Sequence, residues 1–169
     1  LQVLRFFMLS AHYRSPLNFS ADLMEASKNG LTRILTAVER LAELSAAASG
    51  GELTEEERAL EGQVKELVDK YEAAMDDDFN TADAISAVFE LVKFANTSVG
   101  ETSTKAFVDD VKKTIEKLCD VLGIITEKKE ELLDGEIEAL IEERQQARKD
   151  KNFARADEIR DILAEKGIL

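Results

Sequence analysis

Apolar residues return every three or four positions through most of this chain, and no segment alternates as a half-buried strand would. From Ala21 onward, Leu23, Leu31, Ile34, Leu35, Val38, Leu41 and Ala42 keep the rhythm that gathers them on one helix face. Ser20 stands in front of this stripe as an N-cap. Gly30 interrupts it at a cost of about 1 kcal/mol against alanine. After a flexible Ser49-Gly50-Gly51 turn, Thr54 and Glu57 have the spacing of a capping box. They open a second stripe of Leu60, Val64, Leu67, Val68, Tyr71 and Met75. Asn80 or Thr81 starts a third helix, with Ile85, Val88, Phe89 and Val92 inward. Ser103 or Thr104 starts a fourth, with Phe107, Val111, Ile115, Leu118 and Leu122 inward and Gly123 closing it.

Four amphipathic helices with short connections predict an up-down bundle. Its centre should hold Leu35, Val38, Leu67, Tyr71, Val88, Phe89, Val111, Ile115 and Leu118. Ahead of the bundle, Leu4, Phe6, Phe7 and Leu9 form an apolar helical stretch that Ser15-Pro16 breaks. Behind a charged connector over 127–133 come two shorter helices meeting near Lys151-Asn152. Ile137, Leu140 and Ile141 mark the first; Phe153, Ala156, Ile159 and Leu163 mark the second. The expected fold class is all-α. A junction segment over 1–20 precedes the helical bundle over 21–126, and a C-terminal helical hairpin over 134–169 is appended to it.

Composition supports this: one proline, no tryptophan and abundant Ala, Leu, Glu and Lys. The single cysteine, Cys119, excludes an internal disulfide and a Cys-x-x-Cys metal site; it lies in an apolar stripe and reads as a small core residue. The one histidine, His12, excludes a multi-histidine metal site. No apolar run approaches the roughly twenty residues that span a bilayer, and no signal peptide is visible. The chain starts in mid-pattern at Leu1-Gln2-Val3 and stops at Gly167-Ile168-Leu169, so it reads as an excised piece of a longer protein.

Charge changes the picture. The chain carries a net −13, and residues 52–78 hold eleven acids against three bases. Yet Arg144, Arg148, Lys149, Lys151 and Arg155 face a single acid, Asp150, within twelve residues. Residues 1–20 carry Arg5 and Arg14 and no acid. A basic island on an acidic protein suits a phosphate-binding face, because the remaining surface repels polyanions. Phe153 sits inside that island, and an aromatic among cations can stack on an unpaired base. A solvated helix corner with Phe153 turned into a core fits the composition too. Asp76-Asp77-Asp78 could hold a divalent cation through oxygen ligands. The triad directly precedes a helix start, however, where carboxylates are favoured electrostatically, so capping is the expectation. The chain has no phosphate loop, dinucleotide fingerprint, nucleophile elbow or histidine-based metal motif, and no catalytic residue is expected.

Three segments resemble a known family in order and separation. LRFFMLSAHYRSPLNFS (Leu4–Ser20), AMDDDFNTADAISAVF (Ala74–Phe89) and EIEALIEERQQARKDKNFARADEIRDILAEKGIL (Glu136–Leu169) are similar to the C-terminal half of bacterial-type cysteinyl-tRNA synthetases. The resemblance implies a class I synthetase that joins cysteine to tRNA through a cysteinyl-adenylate made from ATP. It implies ATP with magnesium and one zinc ion for the parent enzyme, held by motifs N-terminal to the matched residues, and no cofactor in this piece. It implies tRNA(Cys) and the enzyme's own catalytic domain as partners; a monomer in the cytoplasm, away from membranes, is expected. The Asp-Ala-Leu-Arg tetrapeptide that names such helical domains is here Gln2-Val3-Leu4-Arg5. The anticodon-reading Arg, aromatic and Asp of the family's terminal hairpin correspond to Arg148, Phe153 and Asp157, which would meet the bases G-C-A. Phe153 stands where an indole is often found, and the family's short acidic-glycine-tryptophan tail does not follow Leu169. Candidate tRNA-backbone contacts are Arg5, His12, Arg14, Arg144, Lys149, Lys151 and Arg155. Two alternatives stand beside this: a helical protein-interaction scaffold, and part of a synthetase-like ligase that adds cysteine to an amino sugar.

Overall fold

The computed structural model describes residues 1–126, 134–150 and 152–165; the charged connector over 127–133 and Lys151 lie outside them. The described residues are helical, with no strand among them. The chain divides into two compact units, Leu1–Glu127 and Lys128–Leu169.

The first unit contains α1 (Gln2–Leu9), α2 (Ala21–Ala47), α3 (Glu55–Asp76), α4 (Thr81–Ser98) and α5 (Lys105–Val121). The helix starts follow the sequence signals. Ser20 Oγ accepts from the Leu23 N–H at 3.2 Å, Asn80 Oδ1 from Asp83 at 3.2 Å, and Thr104 Oγ1 from Phe107 at 3.3 Å. Thr54 and Glu57 form the full capping box. Glu57 also reaches a second helix, accepting from the Thr104 N–H at 2.8 Å and its hydroxyl at 2.9 Å. One carboxylate thus ties together the N-termini of α3 and α5. Burial opposes its charge, but the bonds from Thr54 and Thr104 prevail and hold Glu57 below its ordinary value. At the far end of α5, Gly123 takes φ +65. The Gly123 and Ile124 N–H groups bond back to Asp120 and Cys119, closing a Schellman motif.

Packing pairs α3 with α4, α2 with α5, and α1 with α2, while α2 and α3 make no close backbone approach. The connection over 48–54 therefore joins helices at opposite corners of the bundle. Of the nine central residues expected, Val38, Tyr71, Val88, Val111, Ile115 and Leu118 are buried. Leu35, Leu67 and Phe89 pack at the margin. Leu23 and Ala42 face solvent instead, and Ala37 and Ser45 take inner positions. Leu41 and Ser45 are one turn apart, whereas Ala42 is rotated about 100° from Leu41.

Three local readings need correction. Helix α1 ends at Leu9, well before Pro16; the Ser10 hydroxyl donates to the Phe7 carbonyl at 2.7 Å, the acceptor that the next backbone N–H of a continuing helix would use. Gly30 is no mere interruption: a Cβ there would lie 3.1 Å from the Phe6 ring and 3.4 Å from Phe89, so the glycine lets α1 settle against α2. The Asp76–Asp78 triad does not cap α4. Asp76 ends α3, Asp77 is its C-cap, and Asp78 and Phe79 turn the chain at φ 57 and 54 before Asn80 caps α4. The reversal consumes the residues between the helices, so the carboxylates fall at the negative end of α3, not the positive end of α4.

The second unit consists of α6 (Asp134–Lys149) and α7 (Phe153–Glu165), packed on each other. Asn152 caps α7, its Oδ1 accepting from the Arg155 N–H at 3.3 Å. Ala147, Ala156, Ile159 and Leu163 form the buried seam. Phe153, grouped with that stripe in the sequence, is the first residue of α7 and stays 61% exposed.

Candidate nucleic-acid interface

The hairpin has two unlike flanks. At about 100° per residue, Arg144 and Arg148 lie on one side of the Leu140–Ala147 stripe of α6, and Glu143 on the other. In α7, Phe153, Asp157 and Arg160 lie on one side of the buried stripe, and Arg155 and Glu158 on the other. Glu143 meets Arg155 across the hairpin, with Nε and Nη2 each 2.9 Å from Oε1. Those two flanks therefore adjoin, and so do the opposite ones. Arg144, Arg148, Phe153, Asp157 and Arg160 share one face.

The flanks differ electrostatically. Arg155 is spoken for: besides Glu143 it holds Glu158 at 2.8 Å. Bonds to Glu143 and then Glu158 raise its already high pKa further. Its charge is already compensated within the hairpin. On the other face Arg148 is exposed and has no ion pair among the described residues; Lys149, equally exposed and unpaired among them, lies on the back of α6. Arg144 is half-buried, and its Nε is a buried donor without a partner among the described residues. Asp157 pairs with Arg160, Nη1 to Oδ1 at 3.1 Å. This face offers an exposed cation at Arg148 that is unpaired among the described residues, an open aromatic ring and an exposed carboxylate. Together these can bind phosphate, stack a base and accept from a base edge.

The candidates in the first unit are engaged differently. Arg5 donates from Nη1 to the Gly123 carbonyl, joining α1 to the end of α5. Arg14 pairs with Asp78 at 2.8 Å and donates to the Tyr13 hydroxyl at 2.9 Å; Tyr13 in turn donates to Asp78 at 2.9 Å. His12 stacks on Tyr13 with ring centroids 4.8 Å apart, and its Nδ1 accepts from the Arg14 N–H. All three basic residues thus make contacts within the fold.

No group of three metal-ligating side chains occurs among the described residues. Among them, too, no helix is long and apolar enough to cross a membrane. An apolar groove of about 390 Å³ lies between α3 and α5, lined by Val68, Tyr71, Met75, Leu118 and Val121 together with polar side chains of both helices. The Tyr71 hydroxyl bonds to the Leu118 carbonyl at 3.0 Å, and burial, then the neighbouring Cys119, pushes it up to about 12.

Sequence reasoning passed over two ion-pair partners of the candidate residues, Glu143 beside Arg155 and Arg160 beside Asp157. Arg160 was signalled by its i+3 spacing from Asp157. Glu143 was not, because the cross-hairpin pair depends on the register of α6 against α7.

Comparison with known proteins identifies this as a pair of helical anticodon-binding domains. Residues 70–126 match the DALR domain, and residues 130–169 match the cysteinyl-tRNA ligase anticodon binding domain. The chain belongs to the cysteine–tRNA ligase family. It is 61% identical to the cysteine–tRNA ligase of Lachnospira eligens over all of its 169 residues, covering 36% of that protein. It is 55% identical to the enzyme of Lachnoclostridium phytofermentans and 47% identical to that of Brevibacillus brevis, each over 99% of the chain. The chain thus spans little more than a third of the length of these relatives and covers only their anticodon-binding part.

Proposed function

We propose that this chain reads the anticodon of tRNA(Cys) for a cysteine–tRNA ligase, which attaches cysteine to that tRNA in the cytoplasm using ATP. The observation that carries this reading is the open flank of the hairpin, where Arg148, exposed and without an ion pair among the described residues, shares a face with the exposed Phe153 ring and the Asp157 carboxylate. In this reading Phe153 stacks on an anticodon base. The Asp157 carboxylate accepts from the N1–H and N2–H₂ donors of guanine, and Arg148 donates to a base acceptor or a phosphate. Arg144 and Lys149 add phosphate attraction, and Lys151 belongs to the same basic segment. The ATP, magnesium and zinc chemistry belongs to the remainder of the ligase, and no residue of this chain is assigned to it. The match of the hairpin to an anticodon binding domain favours this function over the scaffold and amino-sugar readings.

The test is aminoacylation by the full-length ligase of tRNA(Cys) against an anticodon-swapped version. Asp157→Ala, Phe153→Ala and Arg148→Ala should each narrow the difference, Phe153→Ala by the about 1–3 kcal/mol of a stacked base. Unchanged discrimination in all three folded variants would refute the proposal.

A further inference from the structure

Asp157 is 64% exposed, and a carboxylate that open has several rotamers to lose when it pairs with a base. Its neighbour Arg160 restrains it. The Arg160 guanidinium is itself anchored, with Nε 3.1 Å and Nη2 2.9 Å from Asp161 Oδ1. From that anchor Nη1 reaches Asp157 Oδ1 at 3.1 Å. The three groups form a chain from Asp161 through the planar fork of Arg160 to Asp157. The fork is preorganised, so holding Asp157 this way sacrifices little further freedom. Oδ2 and the second lone pair of Oδ1 remain available to an incoming donor pair.

We infer that Arg160 is a positioning and specificity residue of the anticodon site, fixing the orientation in which Asp157 meets the Watson–Crick edge of guanine. This rests on the reading of Asp157 as a guanine acceptor. Arg160 lies on the same flank as Phe153 and Asp157, and its contact with Asp157 is an ion pair. Arg155, by contrast, braces the opposite flank. The two arginines of α7 therefore have separate tasks: one holds the hairpin together, the other aims the carboxylate.

The experiment measures kcat/KM of the full-length ligase for tRNA(Cys) and for the same tRNA with the anticodon guanine replaced by adenine. The readout is the ratio of the two, which loss of folded protein does not move because both tRNAs meet the same preparation. Arg160→Met should lower that ratio roughly threefold to tenfold, the effect of one oriented hydrogen bond. The double variant with Asp157→Ala should show no further drop beyond Asp157→Ala alone, since Arg160 acts through Asp157. A wild-type ratio in Arg160→Met, or additive losses in the double variant, overturns the positioning role while leaving the guanine contact intact. A wild-type ratio in Asp157→Ala overturns the guanine contact itself and the positioning role with it.

Discussion

Arg155 spans the hairpin to Glu143 with two N–H groups on one carboxylate oxygen, each at 2.9 Å. The consequence is a division of labour among cations that are adjacent in sequence. Arg148→Ala should reduce the slope of log affinity for tRNA against log salt by about 1, the signature of one lost phosphate contact. Arg155→Ala should leave the slope near its wild-type value, because that charge is already matched by Glu143 and Glu158. Binding isotherms between low and moderate salt check this; an equal fall in both variants contradicts the assignment.

The junction of α3 and α5 depends on an ionised Glu57. A carboxylate held below its unfolded pKa stabilises the fold above that unfolded value, and the contribution fades as pH falls through the folded value. Glu57→Gln should therefore lower unfolding free energy at neutral pH by about 2 kcal/mol, the scale of a lost cap and charge-assisted bonds. The gap between variant and wild type should narrow as pH drops below about 4. Urea unfolding at several pH values measures it; a gap that widens in acid would show the opposite sign.

Gly30→Ala should destabilise the first unit despite alanine's higher helix propensity. The new methyl meets the Phe6 ring at 3.1 Å. Overpacking of about 1–3 kcal/mol then exceeds the helix gain of about 1 kcal/mol. A raised melting temperature would mean that α1 shifts freely to accommodate it.

Burial, then the nearby Glu116, pushes the Cys119 thiol up to about 12. Since the thiolate is the reactive species, Cys119 should resist iodoacetamide in the folded chain and react once urea unfolds it. Rapid alkylation without denaturant would place Cys119 outside the core.

Most of the fold was legible in the sequence because its signals are local. Ser20, Thr54, Asn80 and Thr104 cap where a short polar residue before an apolar stripe says they should. What escaped depends on long-range packing: the need for Gly30 beneath Phe6, and the lack of a close backbone approach between consecutive α2 and α3. The Asp triad misled because carboxylates near a helix start look alike whichever helix they belong to. In the candidate site, the residue types of Arg148, Phe153 and Asp157 stood out in the sequence through a resemblance and a local charge excess. Their common flank, and the neutralisation of Arg155, required the register of α7 on α6.

The chain contains no tryptophan, so Phe153→Trp introduces a single fluorescent reporter at the proposed stacking position. Titration with an RNA stem-loop carrying the anticodon GCA should quench its emission saturably, and a loop with those three bases exchanged should quench it far less. Equal quenching by both loops, or unchanged emission while a labelled GCA loop is seen to bind by fluorescence anisotropy, would contradict the account of the hairpin as an anticodon reader.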